Sequence, residues 1–305
     1  MFDMHYDMLS VIYQCYLRND YSYIEEWAKS YNEKNVSGLL ANLYFMSDEE
    51  MKEELGEDYG KIDVVEMFRI STKLIQKYLP HTKVLYSIEG CDYIKDTEEL
   101  EELYHLGLRN ILLVWNCPNR YGSGNRGDYG LTESGREFLI KAIDLGISLD
   151  LSHMNPKTFD DTIDLVKEQR RLGKKVKVIA SHSNCFELCH HKRNLTDEQI
   201  LKLKEVDGIM GLVSYSYFTL DEDSQNLEDQ YLEHIKHAVS LIGIDHVGVS
   251  SDDMTFGKVL FGEEYGDQVF DYTKIKEGLI SLLQREFSDE EIEKILYKNV
   301  LEKLF

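Results

Sequence analysis

The chain has 305 residues, of which 43% are apolar and 11% aromatic, and a formal charge of -22 at pH 7. This length and composition suit one large α/β unit, so we predict a single domain over residues 1–305. The negative charge argues against nucleic acid and anionic membranes as partners, because both bind basic surfaces. The sequence has neither an apolar stretch of ~20 residues that could span a membrane nor a basic and apolar leader after Met1. We therefore expect a cytoplasmic protein without a membrane partner.

Eight short, largely apolar runs are predicted to be strands, and amphipathic segments separate most of them. The predicted strands are 2–9, 38–46, 83–88, 110–115, 147–152, 175–181, 208–214 and 246–250. Several are continuous apolar runs, which is typical of parallel strands buried on both faces. Four predicted helices each precede a glycine that we expect to end the helix in the left-handed conformation. These helices and glycines are 98–105 with Gly107, 132–145 with Gly146, 196–206 with Gly208, and 227–241 with Gly243.

Eight strand and helix units in a chain of this length favour a single (β/α)8 barrel of the TIM type. A doubly wound open sheet is the alternative, but no Gly-x-Gly-x-x-Gly motif follows the first strand. In a TIM barrel the active site lies at the carboxyl ends of the strands. Polar residues at those ends are therefore the candidates for function.

Ionisable side chains stand at or near the ends of four predicted strands. His5 and Asp7 lie two apart in the first strand, Glu89 ends the third, and His153 and His182 close the fifth and sixth. Taken singly, each has an ordinary interpretation as a hydrogen-bonded core histidine or a loop acid. Burying such groups is costly unless they are paired or bound to a metal. Five of them at one end of a barrel therefore favour a metal centre.

Five ligands exceed the three protein ligands that a catalytic zinc ion requires. If Glu89 bridges, two ions about 3.5–4 Å apart can each have three ligands, and a water shared between them can act as the nucleophile. Glu89 is the natural bridge because it lies between the others in barrel order. Imidazole with carboxylate suits zinc best, although manganese and iron also fit.

These residues lie in motifs that resemble the renal (membrane) dipeptidase family, which are zinc peptidases related to the amidohydrolase barrels. Asp3-Met4-His5-Tyr6-Asp7 resembles the family's Asp-Gly-His-Asn-Asp, and Ile88-Glu89-Gly90 resembles its Glu-Gly segment. Further similar segments are Gly130-Leu131-Thr132, Asp150-Leu151-Ser152-His153, Ser181-His182-Ser183-Asn184, Arg193-Asn194 and the run from His246 to Asp252. The matches are spread in order over nearly the whole chain.

The resemblance implies a metal-dependent, dipeptidase-like hydrolase. His5, Asp7 and Glu89 would bind one zinc ion, and Glu89, His153 and His182 would bind the other. Arg193 would bind the terminal carboxylate of a dipeptide or another small molecule. Asp252 would carry a proton from the nucleophilic water to the leaving amine, although its neighbour Asp253 is an alternative. The resemblance also suggests a homodimer.

The chain departs from the family pattern in three places. Trp115 stands where the family has a histidine that polarises the substrate carbonyl, and an indole can donate one hydrogen bond but cannot become a cation. The expected substitutes for that histidine are Trp115 itself, Asn116, Asn119 and Arg120. The loop after the eighth strand begins Asp252-Asp253-Met254-Thr255 instead of Asp-Phe-Asp-Gly. Met4 and Tyr6 replace Gly and Asn, and we expect them to crowd the site.

Three functions are therefore considered. The first is a zinc hydrolase that cleaves the amide bond of a dipeptide or a dipeptide-like molecule. The second is a related metallohydrolase for another small amide, a lactone or an ester, which Trp115 favours. The third is a metal-binding scaffold without turnover. Arg193 and Asp252 argue against a scaffold, because metal binding alone requires neither.

Overall fold

Eight parallel strands form one sheet in which each strand pairs with the next along the chain. The computed structural model describes residues 1–34, 36–48, 51–52, 62–221, 224, 226–257, 266–271 and 277–305. The strands are β1 (Phe2–Tyr6), β2 (Gly38–Tyr44), β3 (Lys83–Glu89), β4 (Leu108–Leu112), β5 (Ser148–Asp150), β6 (Val178–Ala180), β7 (Ile209–Val213) and β8 (Val247–Ser250). The sheet nearly closes, because the Asp252 amide just after β8 donates to the carbonyl oxygen of His5 in β1 at 3.1 Å. The predicted (β/α)8 barrel is confirmed.

Helices lie between the strands and after the last of them. They are α1 (Met8–Arg18), α2 (Ser22–Glu33), α3 (Val64–Tyr78), α4 (Thr97–His105), α5 (Glu133–Leu145), α6 (Pro156–Arg171), α7 (Asp197–Glu205), α8 (Ser216–Thr219), α9 (Leu227–Ile242), α10 (Glu277–Leu283), α11 (Asp289–Glu293) and α12 (Asn299–Leu304). A 3-10 turn spans Ile244–His246, and a π-helical turn, Lys294–Lys298, joins α11 to α12. Among the described residues, no helix combines the length and the apolar character needed to cross a membrane.

The ends of the four predicted helices agree with the sequence to within two residues, but the caps differ from the prediction. Gly146 is left-handed, with φ 77° and ψ 19°, whereas Gly243 has φ 86° and ψ 158°, outside the left-handed helical region. Three of the four glycines have positive φ angles, namely Gly107, Gly146 and Gly243. After α7 the residue with positive φ is Asp207, at 44°, and not Gly208. Position 208 favours glycine for a steric reason instead. A Cβ atom there would lie 2.4 Å from Cδ1 of Leu203, which is too close.

The first strand is shorter than predicted, because β1 ends at Tyr6 and α1 begins at Met8. Its pairing with β2 contains a β-bulge. Asp3 pairs with Leu39 and Tyr6 pairs with Ala41, so three steps along β1 match two along β2. Such a bulge re-aims side chains. As a result both Met4 and His5 face the barrel interior, although they are adjacent in sequence.

The amino-terminal end of the barrel is filled by apolar side chains. This buried cluster consists of Phe2, Met4, Leu40, Leu85, Ile179 and Ile209 of the strands, with Val300 and Leu304 of α12 packed against them. The sulfur of Met4 lies so close to Gly211 and Gly248 that a Cβ atom at Gly248 would be 2.4 Å from it. The polar interior positions are therefore confined to the opposite, carboxyl end of the barrel.

Candidate metal centre

The five predicted metal ligands come together at the carboxyl ends of the strands. The Nε2 atom of His5 lies 3.0 Å from Oε2 of Glu89 and 3.6 Å from Oδ1 of Asp7. The Nε2 atom of His153 lies 2.8 Å from Oε1 of Glu89, and that of His182 lies 3.7 Å from the same oxygen. One potential ligand atom from each of His5, Glu89 and His182 lies within 4.8 Å of the other two.

Glu89, the last residue of β3, divides the cluster into two halves. Its Oε2 atom faces His5, while its Oε1 atom faces His153 and His182. Asp7 lies on the His5 side of the cluster. The prediction that Asp7 belongs to the first strand, together with His5, was wrong. Asp7 is not in the strand with His5; it is the residue before the first turn of α1, where its side chain makes no capping hydrogen bond. Its carboxylate is thereby left directed at the cluster.

Each of the three imidazoles has its Nδ1 atom against an uncharged side chain. For His153 the partner is Oδ1 of Asn116 at 3.1 Å, for His182 it is Oγ of Ser181 at 2.8 Å, and for His5 it is Nδ2 of Asn42 at 3.0 Å. Hydrogen bonds at Nδ1 set the ring orientation and the tautomer of a metal-binding histidine. All three Nε2 atoms consequently face Glu89.

The buried charges shift one another's pKa values. Burial opposes the ionisation of Glu89, but the charges of His5 and His153 outweigh it and hold its pKa well below the usual range. Burial also disfavours the His5 cation, yet Glu89, Asp252 and Asp7 raise its pKa to about 10. Burial is the largest cause that lowers the pKa of His153, to about 3, because it disfavours the imidazolium form.

This arrangement fits metal ions. With its Nδ1–H donated to the Asn116 oxygen, His153 presents a lone pair at Nε2, and that atom faces a carboxylate oxygen only 2.8 Å away. Two acceptors at this distance need a cation or a proton between them. The Oδ1 atom of Asp7 is also buried and has no hydrogen-bond partner in the part of the chain that the structure describes. Imidazole and carboxylate donors of this kind suit zinc.

Asp252 and Asp253 point in different directions. The Oδ1 atom of Asp252 lies 3.8 Å from Nε2 of His5, and its backbone has a φ angle of 45°, which is uncommon for a residue other than glycine. Burial raises its pKa. The Oδ1 atom of Asp253 instead accepts from the amide of Thr255 at 2.8 Å, and after burial its charge is the next largest cause of the raised pKa of Tyr6. Only Asp252 faces the predicted ligands.

Tyr6 does not crowd the site, contrary to the expectation from the sequence. Its ring packs edge-on against Trp27, and its hydroxyl is 2.7 Å from that of Tyr23, both on the helical side of β1. Met4 belongs to the apolar floor of the barrel. The first ligand pair is therefore flanked by one side chain on the helical side of β1 and one in the apolar floor of the barrel.

Arg193 lies beside the cluster and is only 6% exposed. Its Nη2 atom donates to the carbonyl oxygen of His182 at 3.4 Å, and its guanidinium lies over the ring of Phe218, 5.5 Å from the centroid. The Nε atom is buried and makes no hydrogen bond to any described residue. An arginine with unused donors inside a protein is well suited to bind a carboxylate.

Trp115 is half-buried at the rim of the site. Its indole packs edge-on against Tyr44, with ring centroids 5.0 Å apart, and lies 5.9 Å from the ring of His153. Tyr44 is the strand neighbour of Glu89 in β2. The two aromatic rings therefore form a wall over the carboxylate.

The polar residues near Trp115 are engaged elsewhere. The Oδ1 atom of Asn116 faces His153 and accepts from Asn125. The Oδ1 atom of Asn119 accepts from the amides of Tyr121 and Gly122, in a turn. Arg120 is exposed and bonds the backbone oxygens of Asp92 and Lys95. None of the three replaces the histidine for which Trp115 stands.

Sequence reasoning missed the residues that contact the Nδ1 atoms, above all Asn42. A weak signal was present, because Asn42 is the only polar residue in the interior of the apolar run Leu39-Leu40-Ala41-Asn42-Leu43. Ser181 was noticed only as part of a motif. Its hydroxyl lies between two imidazoles, 2.8 Å from Nδ1 of His182 and 3.4 Å from Nδ1 of His5.

A parallel barrel with buried imidazoles and carboxylates at the carboxyl ends of its strands has the architecture of the metal-dependent barrel hydrolases. A model of the membrane dipeptidase family (peptidase family M19) matches residues 28–304. The chain belongs to this family, which confirms the resemblance seen in the sequence. His5 and Asp7 precede the matched residues, so their place in the site rests on the geometry.

The chain is also similar to individual curated proteins. An uncharacterized Klebsiella pneumoniae protein encoded in the pqqA 5' region is 32% identical over 193 residues, which are 59% of this chain and 67% of that protein. The dipeptidase aclJ of Aspergillus oryzae is 29% identical over 228 residues, 72% of this chain and 50% of that protein. Apart from the first, the chain spans only about half the length of these curated relatives.

The fold is shared with solved structures. A metallo peptidase from Rhodobacter sphaeroides, bound to a phosphinate mimic of the dipeptide L-Ala-D-Ala, superposes with a TM-score of 0.76 at 21% identity, covering 100% of this chain and 99% of that one. A structure described as dipeptidase AC of family M19 gives 0.71 at 22% identity, covering 91% and 88%. At sequence identities of 21% and 22%, these superpositions show a shared fold only.

Proposed function

We propose that the protein is a binuclear zinc hydrolase that cleaves the amide bond of dipeptides or dipeptide-like small molecules. The observation that carries the proposal is the position of Glu89, whose two oxygens face different sets of ligands. His5 and Asp7 would complete one zinc site, and His153 and His182 the other. Two zinc ions held there would acidify a shared water and polarise the carbonyl of the scissile amide.

The substrate is proposed to carry a free carboxylate. Arg193 is buried and retains donors that no described residue uses, so a carboxylate could make a bidentate contact with it. Its guanidinium is held over Phe218 and against the backbone of His182, which lies two residues after the end of β6. A substrate anchored in this way would have its terminal amide bond beside the cluster.

Asp252 is proposed to transfer the proton. Its carboxylate is 15% exposed and lies 3.8 Å from the nearest imidazole nitrogen, so it can reach both the cluster and a bound substrate. The Gln268 side chain holds the backbone of this turn by donating to the carbonyl oxygens of Ser251 and Asp252. In the reaction water adds to the amide carbon, the carbon–nitrogen bond breaks, and Asp252 passes the proton of the water to the departing amine.

Trp115 and Tyr44 are proposed to shape the pocket on the side of the amino-terminal residue of the substrate. An aromatic wall favours an apolar or planar group there. It supplies at most one hydrogen bond to the substrate carbonyl, so polarisation of that carbonyl would depend on the metal ions. Because this weakens the case for ordinary dipeptides, hydrolysis of another small amide, a lactone or an ester is the second candidate.

The test is metal content combined with a substrate screen. The full-length protein, loaded with zinc, should hold two ions per chain and hydrolyse members of a dipeptide panel. Glu89→Gln keeps the shape of the side chain but should lower both metal content and turnover. Glu168→Gln is the matched control, because Glu168 contacts Arg136 on the surface, away from the cluster.

The outcomes separate the candidates. Hydrolysis of lactones or acylated amino acids without any dipeptide turnover would select the second candidate. Two bound ions with no turnover on either panel would indicate the scaffold. Protein that takes up no zinc would refute the proposal. The cytoplasmic location and the homodimer stay predictions.

A further inference from the structure

Asn42 is a fully buried residue of β2 whose side chain contacts the candidate metal centre from outside the ligand set. Its Nδ2 atom lies 3.0 Å from Nδ1 of His5. Its Oδ1 atom is buried and has no hydrogen-bond partner among the described residues. A buried amide oxygen without a hydrogen-bond partner is destabilising, so this arrangement calls for an explanation.

A second buried asparagine shows what a purely structural amide looks like in this barrel. Asn110 of β4 is equally buried, but both ends of its side chain are bonded. Its Nδ2 atom donates to Oγ of Ser87 at 2.9 Å, and its Oδ1 atom accepts from Oγ of Ser148 at 2.6 Å. Asn42 differs because the one hydrogen bond that its side chain makes to a described residue is the one to His5.

The direction of that single bond conflicts with metal binding by His5. An amide nitrogen that donates to Nδ1 requires a lone pair at Nδ1, which leaves the ring proton of a neutral imidazole on Nε2. Nε2 is the atom that faces Glu89 and Asp7. To bind a metal there, His5 must carry its proton on Nδ1 and needs an acceptor beside that atom.

Two groups lie within reach of Nδ1 of His5. The hydroxyl of Ser181 is 3.4 Å away, but it is closer to His182, at 2.8 Å. The remaining candidate is the amide of Asn42. The two ends of an amide have nearly the same shape, so a half-turn of the Asn42 side chain would place Oδ1 where Nδ2 lies, without repacking the barrel.

We propose that Asn42 is a positioning residue for the metal centre. Its side-chain oxygen accepts the Nδ1–H of His5 in the zinc-loaded protein and thereby directs the lone pair of Nε2 toward the ion. His153 already has this arrangement, with Oδ1 of Asn116 facing its Nδ1 atom. The inference rests on the proposed zinc site. It assigns no contact with substrate to Asn42, which is buried below the ligands.

The first measurement is zinc affinity of the full-length protein, by competition with a chromogenic chelator. Asn42→Leu removes the acceptor and should weaken zinc binding by about 10–100-fold. Asn42→Asp keeps an acceptor in the same place and should bind zinc as tightly as the wild type or more tightly. Asn110→Leu, which removes a matched buried amide away from His5, should leave zinc affinity unchanged while it lowers thermal stability.

The second measurement does not depend on a variant that folds. Long-range 1H–15N correlation spectra of the zinc-loaded wild type should show His5 protonated at Nδ1 and coordinated through Nε2. Protonation at Nε2 would overturn the proposal. Wild-type zinc affinity in Asn42→Leu, or an equal loss in Asn42→Asp or Asn110→Leu, would overturn it too. A wild type that binds no zinc would instead refute the proposed function as well.

Discussion

Replacing Arg193 should reveal whether the substrate is held by its carboxylate. The side chain is 6% exposed, and among the described residues it makes one long hydrogen bond to a carbonyl oxygen and packs against the ring of Phe218. No described residue makes a hydrogen bond with its Nε atom. Most of its five donors are therefore unused by the described residues, and a carboxylate could take two of them.

The size of the effect follows from this burial. Truncating one partner of a buried, hydrogen-bonded charge pair typically costs 2–5 kcal/mol, or roughly 30-fold to several thousand-fold in kcat/KM. We expect Arg193→Met to fall in this range for a dipeptide with a free carboxylate. Arg193→Lys keeps the charge but loses the planar fork of donors, so its loss should be smaller yet clear.

The assay compares each dipeptide with its carboxamide, which has the same shape and no negative charge. The wild type should prefer the acid by about the factor that Arg193→Met loses, and the variant should hydrolyse both forms at similar rates. The reasoning is refuted if the wild type cleaves acid and carboxamide equally well. It is also refuted if Arg193→Met slows both to the same extent, because the arginine would then act on the fold or the metals.

Three further predictions concern other positions. Trp115→His should raise dipeptide kcat/KM, by up to about 10²-fold if the missing carbonyl donor limits turnover; an unchanged or lower rate in steady-state assays would contradict this. Asp252→Asn should lower kcat by about 10²–10⁴-fold, whereas Asp253→Asn should mainly lower the melting temperature; the reverse result would exchange their roles. His234 accepts from the amide of Cys185 and faces the carbonyl oxygen of Thr219, and burial lowers its pKa to about 4 from the ordinary 6.5. Its neutral form is favoured on folding, so about 3 kcal/mol of stability should be present above pH 6.5 and lost as the pH falls toward 4. Urea unfolding of His234→Gln should show a flatter pH dependence, and equal slopes would contradict the assignment.

Much of this could be predicted from the sequence, because its signals are local. Continuous apolar runs followed by ionisable residues are visible without coordinates, and parallel strands bring their carboxyl ends to one place. Glu89 ends its strand, and His153 and His182 lie within three residues of the ends of theirs, so strand position alone was enough to place them together. The helix cap at Gly146 is local for the same reason.

Other features depend on how the strands pair. On a regular strand, His5 and Asp7 would lie on one face because they are two residues apart. In the structure they come together because β1 contains a bulge and α1 begins at Met8. Asp252 faces the ligands and Asp253 does not, and this difference depends on the backbone of Asp252, whose φ angle is positive. The orientation of Tyr6 away from the pocket follows from the same bulge, which no spacing rule could reveal.

The charge of the site connects the metal centre to the substrate. Without ions, the carboxylates of Asp7, Glu89 and Asp252 surround the imidazole of His5, and Glu89 and Asp252 also interact with the guanidinium of Arg193, in a chain of formal charge -22. An anionic substrate would meet repulsion on approach, because these groups share a buried environment where charges interact strongly. Two divalent ions would reverse the sign of the field at this one place. The same ligands that hold the ions would thus make capture of a carboxylate depend on them, and this would allow a strongly acidic protein to select the negatively charged substrate proposed above.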